Sequence, residues 1–303
     1  MDVTRSGQGP SLLLVDGHAV LLAVEAALRG LRGEPVTASL VCAHALHRLL
    51  IALRVHEPSH FLAAFQDVAQ SWRTQIAAPS SDWRRPPSGV VAEAQRLTRD
   101  KLNGWALANA SVAGVDVDDT IGYLANRAVS RGFVVTLLCA APTLAHLIGP
   151  VGHQVDPATG AWLDVEWYST QYGVPSKLVC DVLALSGHPD LGIPGVPGFG
   201  LKRAAEAILH HGTLDQVLRN ADTFPATLSA ALREQAHLAQ RGREALTLMD
   251  DVDLNLTPRQ IALSAAVRDE IRAMPAPRIE APSATADAAL ALNRSPSALL
   301  SLD

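Results

Sequence analysis

The stretch GHPDLGIPGVPGFGLKRAAEAIL, Gly187–Leu209, decides how the chain is read. Its centre, GIPGVPGFG, alternates glycine and proline, and LKRAAEAIL follows at once with the composition of a helix. Proline fixes φ, and glycine lets the main chain come close to a ligand. A rigid turn before a helix aims the free N–H groups of its first turn outward, where the dipole favours an anion. Lys202 and Arg203 stand in that first turn and can add charge-assisted bonds to a phosphate. Such contacts hold a nucleic-acid backbone without reading its sequence. The competing reading is an ordinary connection between two packed helices. Basic residues at the start of the helix favour the grip, formed by Gly195, Val196, Gly198, Gly200, Lys202 and Arg203.

Upstream, SLLLVDGHAV reads as a short buried strand and a turn, then a helix from Leu21 to Gly30. VTASLVCAHALHRLLIALRVH has apolar residues at helical spacing and predicts a long amphipathic helix. HFLAAFQ is a second short strand. After the irregular APSSDWRRPPSG a helix is expected from about Val90 to Asn109. ASVAGVDVDDTIGYLANRAVSRG gives a brief extended piece and a helix opening near Asp116, and FVVTLLCAA is the clearest buried strand. This alternation predicts a parallel α/β sheet in the first half. After about Tyr172 the signals are helical, and beyond Met274 the Pro/Ala/Ser composition predicts a poorly ordered tail.

The 303 residues, 48% hydrophobic, are enough for a full core in one large domain or two. Apolar runs are interrupted by His or Arg and predict no membrane span, and the N-terminus lacks the order of a signal peptide. Cys42, Cys139 and Cys180 are isolated, as expected of small buried residues in a reducing, cytoplasmic setting. The net charge of −5 does not advertise a nucleic-acid binder, although a basic patch can sit on an acidic body. Arg73, Arg84, Arg85, Arg96, Arg99 and Lys101 outnumber Asp82, Glu93 and Asp100 between Trp72 and Lys101, a balance that a solvated helix face with ion pairs would also show.

ALSGHPDLGIPGVPGFGLKRAA, Ala184–Ala205, resembles the helix–three-turn–helix segment of the 5′-nuclease (flap endonuclease) family, which includes the N-terminal nuclease domain of bacterial DNA polymerase I; its usual form is ALxGDxSDNIPGVPGxGxKTA. The resemblance continues through LLLVDGHAVL, GVDVDDTIGYLA, YGVPSKLVCDVLALSG and ALTLMDDVDLNL, so it runs in order from Ser11 to Leu256. It implies an α/β fold: a PIN-like parallel sheet flanked by helices over residues 1–172, with an arch near 72–105. A helical helix–three-turn–helix DNA-binding domain follows over 173–275, then the tail at 276–303. It also implies a turn that binds duplex backbone, helped by a potassium ion on main-chain carbonyls of residues 192–200.

The family cuts phosphodiesters with two divalent ions, which activate a water and stabilise the leaving oxygen, and Mg²⁺ wants carboxylate oxygens. Carried over position by position, the first-strand Asp is Asp16. The second-strand Asp is Gln66, with Asp67 one place late and so on the other face of a strand. The Glu-Ala-Asp-Asp motif survives as Asp116, Val117, Asp118 and Asp119, its first acid one methylene short. Ala141 and Thr143 replace the two acids after the next strand, and His188 and Leu191 replace the final pair. Five of the nine positions have thus lost their carboxylate. Asp82 stands where the arch has a phosphate-binding lysine, with Arg84 and Arg85 able to compensate, and Ala23 where an arginine is usual.

The resemblance therefore implies a partial catalytic and metal site at Asp16, Asp116, Asp118 and Asp119, holding one Mg²⁺ or Mn²⁺ at most, with His188 and Asp190 as candidates for a softer ion. The alternative for these acids is structural. Asp116 would cap its helix, Asp118 and Asp119 would complement its positive end, and Asp16 would serve the strand–turn geometry. Three functions follow: a junction-DNA binder with weakened or lost chemistry, a working 5′–3′ exonuclease or flap endonuclease on the reduced acid set, or a protein-interaction adaptor. The DNA-binding set adds Arg73, Arg84 and Arg85. For the adaptor the hint is the tail SALLSLD, which resembles apolar peptides that bind sliding clamps. A monomer away from membranes is expected.

Overall fold

Leu12, Leu13, Leu14 and Val15 are apolar in succession, as a strand covered on both faces requires, and all four are buried. They form β1 (Ser11–Asp16) in a computed structural model that describes residues 9–30, 35–67, 71–73, 88–149, 152–254 and 256–275. β1 pairs in parallel with β2 (His60–Ala64) on one side and β4 (Val134–Leu138) on the other. The short β3 (Asn109–Ala110) and β5 (Gly152–Val155) form the edges, in the order β3-β2-β1-β4-β5. Chain order reverses between β1 and β4. The carboxyl ends of strands at such a reversal are where open α/β sheets place their sites.

Helix α1 (Gly17–Gly30) leaves β1 without a separate turn, beginning four residues earlier than the sequence pattern predicts. Asp16 is the reason: its Oδ1 accepts from the Ala19 amide at 2.8 Å and caps the helix from the strand end. α2 (Ala38–His56) is the long helix anticipated, capped by Thr37. Contrary to expectation, its length and composition would suffice for a membrane crossing. In this fold its apolar face, including Val41, Leu46, Leu49, Leu50 and Leu53, packs on α1, β1 and α3 (Gly89–Gly104). α3 ends five residues before the predicted Asn109, because Ala106 adopts φ 53° and the chain turns back into β3. Its N-cap Ser88 accepts from the Val91 amide and donates to Glu25 of α1.

α4 (Val117–Val129) follows β3, and a 3-10 turn (Pro142–Leu147) follows β4. β5 was not anticipated. The helical part holds α5 (Val165–Tyr172), α6 (Val179–Ser186), α7 (Leu201–His211), α8 (Leu214–Arg219) and α9 (Ala226–Leu246); α10 (Pro258–Ile261) and α11 (Ala265–Ala273) return to the sheet and α2. One buried cluster runs from Leu12, Leu14 and Leu137 on the sheet to Leu185, Phe199, Ile208 and Leu232 among the helices, so the core continues across residue 172. The predicted tail, 276–303, lies outside the described residues.

Candidate active site and nucleic-acid grip

Asp16 ends β1, Gln66 follows β2, Cys139 follows β4, and Asp116, Asp118 and Asp119 open α4, so the sheet brings the motif's residues to its carboxyl edge. Asp116, Asp118 and Asp119 are buried. The side chain that answers them is Arg73, whose relative exposure is 0 %. Its Nη1 donates to Asp116 Oδ2 at 2.8 Å and to Asp119 Oδ2, and its Nη2 donates to Asp119 Oδ1 at 2.7 Å. Nε donates to the Ala245 carbonyl at 2.7 Å and Nη2 to that of Thr247 at 3.0 Å. Burial alone pulls the guanidinium pKa down, but the hydrogen bonds and charge of Asp119, then those of Asp116, hold it above its ordinary value.

Asp119 is fully engaged, accepting also from Trp72 Nε1 at 3.1 Å and from the Met249 amide at 2.9 Å. Asp118 accepts from Thr143 Oγ1 at 2.9 Å, so the residue that replaced an acid now donates to one that stayed. Gln66 Oε1 accepts from the Val117 amide at 3.1 Å. A neutral amide thereby takes one of the first N–H groups of α4, which a helix start leaves without an internal partner. Asp116 occupies the N-cap position but makes no side-chain cap bond; its carboxylate accepts from Arg73 instead, so the expected capping role is corrected. Asp16 does serve the strand-to-helix geometry. Cys139 is fully buried. Burial pushes its thiol well up, with Asp16 and Asp118 adding to the shift.

Two expectations change here. Arg73 was expected to touch DNA, yet it is sealed from solvent and its donors are spent on two carboxylates and two carbonyls. The expected four-acid metal site is divided: two acids pair with Arg73, one with Thr143, and one caps α1. Among the described residues no three His, Cys, Asp or Glu side chains come together to hold an ion. The arrangement as built does not fit a pair of divalent ions. His188 is half-buried and exchanges main-chain bonds with Ile193; the side chain of Asp190 lies outside what the structure describes. Arg84 and Arg85 also lie outside the described residues. Arg96 sits on an exposed helix face, paired with Glu93 and Asp100.

The turn after α6 is built as its sequence predicts. Gly187, Gly192, Gly195 and Gly198 all have positive φ. A Cβ on Gly195 would lie 2.3 Å from the Gly187 nitrogen, so only glycine lets the two strands of the turn cross. His188 and Ile193 pair their main chains, Val196 donates to the Leu185 carbonyl at 2.8 Å, and Ile193, Val196 and Phe199 are buried beneath. The apolar side chains thus hold the turn from beneath, while Gly198, Gly200 and the first residues of α7 face outward. Gly200 is the N-cap of α7 with no side-chain cap bond, and Lys202 and Arg203 are exposed beside it. Arg203 Nη1 donates to the Gly198 carbonyl and stiffens the turn. That carbonyl belongs to the stretch expected to hold a potassium ion, and it already has a cationic partner.

Comparison with known proteins agrees with this architecture. Residues 174–269 match the C-terminal SAM fold of the 5′-3′ exonuclease family. The chain is 28% identical over 260 residues to the Flap endonuclease Xni of Pectobacterium carotovorum subsp. carotovorum (strain PC1), covering 83% of this chain and 94% of that protein. It is 30% identical over 270 residues to the DNA polymerase I of Chloroflexus aurantiacus, covering 85% of this chain but 28% of the polymerase. Among solved structures, the bacteriophage T5 flap endonuclease in a pseudo-enzyme–product complex with DNA and metal ions superposes with a TM-score of 0.64, over 93% of this chain and 98% of that one. At 14% identity this last likeness is one of fold.

Proposed function

Because this chain belongs to the 5′-nuclease family, we propose that it grips flap or other single-strand/double-strand junction DNA through the 187–203 turn, with its nuclease chemistry weakened or lost. The observation that supports the reading is a contrast within one molecule. The turn keeps its glycines, its buried apolar anchors and two exposed basic side chains at an open helix start. The carboxylate cluster keeps four acids, two of which pair with a buried arginine. Asp16 and Asp118 are engaged as well, by the Ala19 amide and the Thr143 hydroxyl, so the set holds one Mg²⁺ or Mn²⁺ at most, and weakly. Removing the second ion's charge from a two-metal cleavage costs several kcal/mol of transition-state stabilisation, so residual cleavage is slow. The protein acts on this reading as a cytoplasmic monomer with sequence-independent affinity for DNA.

The test is a 5′-labelled flap substrate incubated with the full chain at low salt in Mg²⁺ and in Mn²⁺, with a gel shift in parallel. The control is the double variant Asp118→Asn, Asp119→Asn. A shift without cleavage supports the proposal. Rapid cleavage abolished by the double variant replaces it with the working-enzyme reading. No shift at any salt concentration removes the DNA grip and leaves the adaptor reading.

A further inference from the structure

We infer that Arg73 is the resident cation of the acidic cluster, and that it competes with divalent metal for Asp116 and Asp119. This rests on the weakened-chemistry half of the proposed function and is independent of the DNA grip. Three observations carry it. Arg73 has no solvent exposure, and its guanidinium meets the two carboxylates and two carbonyls together. Planar, multidentate contact of this kind is the geometry in which arginine binds carboxylates most strongly. Asp119 also takes the Trp72 indole N–H and the Met249 amide, so its carboxylate is pinned from several sides. Lastly, the positions whose acids would have drawn in more positive charge are neutral: Gln66 bonds the Val117 amide, and Thr143 bonds Asp118.

Each of these changes lowers the negative charge available to a metal while the arginine stays. Mg²⁺ or Mn²⁺ ligated by Asp116 or Asp119 would have to displace the guanidinium. The displaced cation would remain buried beside the incoming one, where like charges repel strongly in a low dielectric. Metal and arginine are therefore mutually exclusive partners of these two acids. The short side chain of Asp116 contributes. One methylene shorter than the Glu of the related motif, its carboxylate meets the arginine and makes no cap bond to α4.

The experiment uses the full chain and Mn²⁺ alone, followed by isothermal titration calorimetry and by the paramagnetic resonance of free Mn²⁺. Thermal melts are run with Mn²⁺ and with EDTA. Expected for the natural chain are no saturable binding below millimolar Mn²⁺ and melts that EDTA leaves unchanged. Arg73→Met keeps volume and removes the charge; it should bind Mn²⁺ at least tenfold more tightly than the natural chain and be stabilised by it in the melt. Micromolar Mn²⁺ binding by the natural chain, or a melting temperature that EDTA lowers, overturns the inference whether or not Arg73→Met folds. Equal Mn²⁺ affinity in the two proteins overturns it as well. A gel shift run in EDTA fails separately if the DNA grip is wrong, so the two readings can be told apart.

Discussion

Gly195→Ala puts the DNA grip to its sharpest test, because the cost can be worked from the turn. The new Cβ would sit 2.3 Å from the Gly187 nitrogen, 2.5 Å from the Ser186 carbonyl carbon and 2.7 Å from its oxygen. All three are main-chain atoms, so no side chain can swing away. Gly195 also has φ 69°, where an L-residue pays roughly 1–2 kcal/mol. Forcing a methyl into a packed place adds about 1–3 kcal/mol. The sum, about 2–5 kcal/mol, is met either by spreading the turn from α6, which breaks the Val196–Leu185 main-chain bond, or by lost global stability. Melting should fall by at least about 4 °C, at about 2 °C or more per kcal/mol for a chain of this size. Affinity for a fluorescent flap DNA, read by anisotropy, should fall about tenfold or more, since every 1.4 kcal/mol is tenfold. Gly200→Ala is the matched control: its φ is −68°, nothing lies within 4 Å of its Cβ, and it alters one helix cap by about 1 kcal/mol or less. The reasoning is refuted if Gly195→Ala melts and binds like Gly200→Ala.

Lys202→Ala and Arg203→Ala should each weaken binding to any duplex sequence by a similar factor and lower the slope of log affinity against log salt by about one; an unchanged slope would mean that neither side chain meets a phosphate. Burial, then neighbouring positive groups, pushes the His44 and His47 imidazoles below their ordinary 6.5, and burial does the same for His60 and His146. The unfolded chain therefore binds more protons just below pH 6.5, so stability is full above that pH and drops as pH falls through it. Melts at pH 7.5 and 5.5 should show the lower midpoint at 5.5, and a flat or reversed profile would contradict the assignment. Burial raises all three thiols, Cys180 to about 11 and Cys139 well above its ordinary value. An aromatic disulfide reagent should then label none of them in the folded chain and all three in guanidinium, and fast labelling when folded would show the site end of β4 to be open.

Much of the fold was legible in local pattern. Unbroken apolar runs announced β1 and β4, and the Pro/Gly alternation announced the turn, because backbone restriction is written in those residues themselves. β5 was hidden because GHQV carries polar side chains. Gln154 is buried there only because Tyr168 donates to it at 2.5 Å and it reaches the Ala141 carbonyl, partners that sequence does not place. The burial of Arg73 is hidden in the sequence for the same reason. A basic residue beside Trp72 and ahead of further arginines looks like part of a phosphate-binding patch. What buries it are carboxylates and carbonyls far along the chain. Gln66 is the intermediate case: the missing acid was visible, but its use as a lock on the first amide of α4 was not.

The unbroken core across residue 172 bears on how this protein can be taken apart. Val182, Ala184 and Leu185 of α6 are covered jointly by the sheet-side 3-10 turn and by α9, and Arg73 ties the end of α9 to the start of α4. The SAM-fold segment is thus a unit of ancestry and not of autonomy. Severed at its recognised boundary, it would leave one flank of α6 bare to water, and the sheet would lose its floor at the same stroke. Both halves should melt in one cooperative transition, and neither fragment, expressed alone, should keep the rigid turn on which the DNA grip depends.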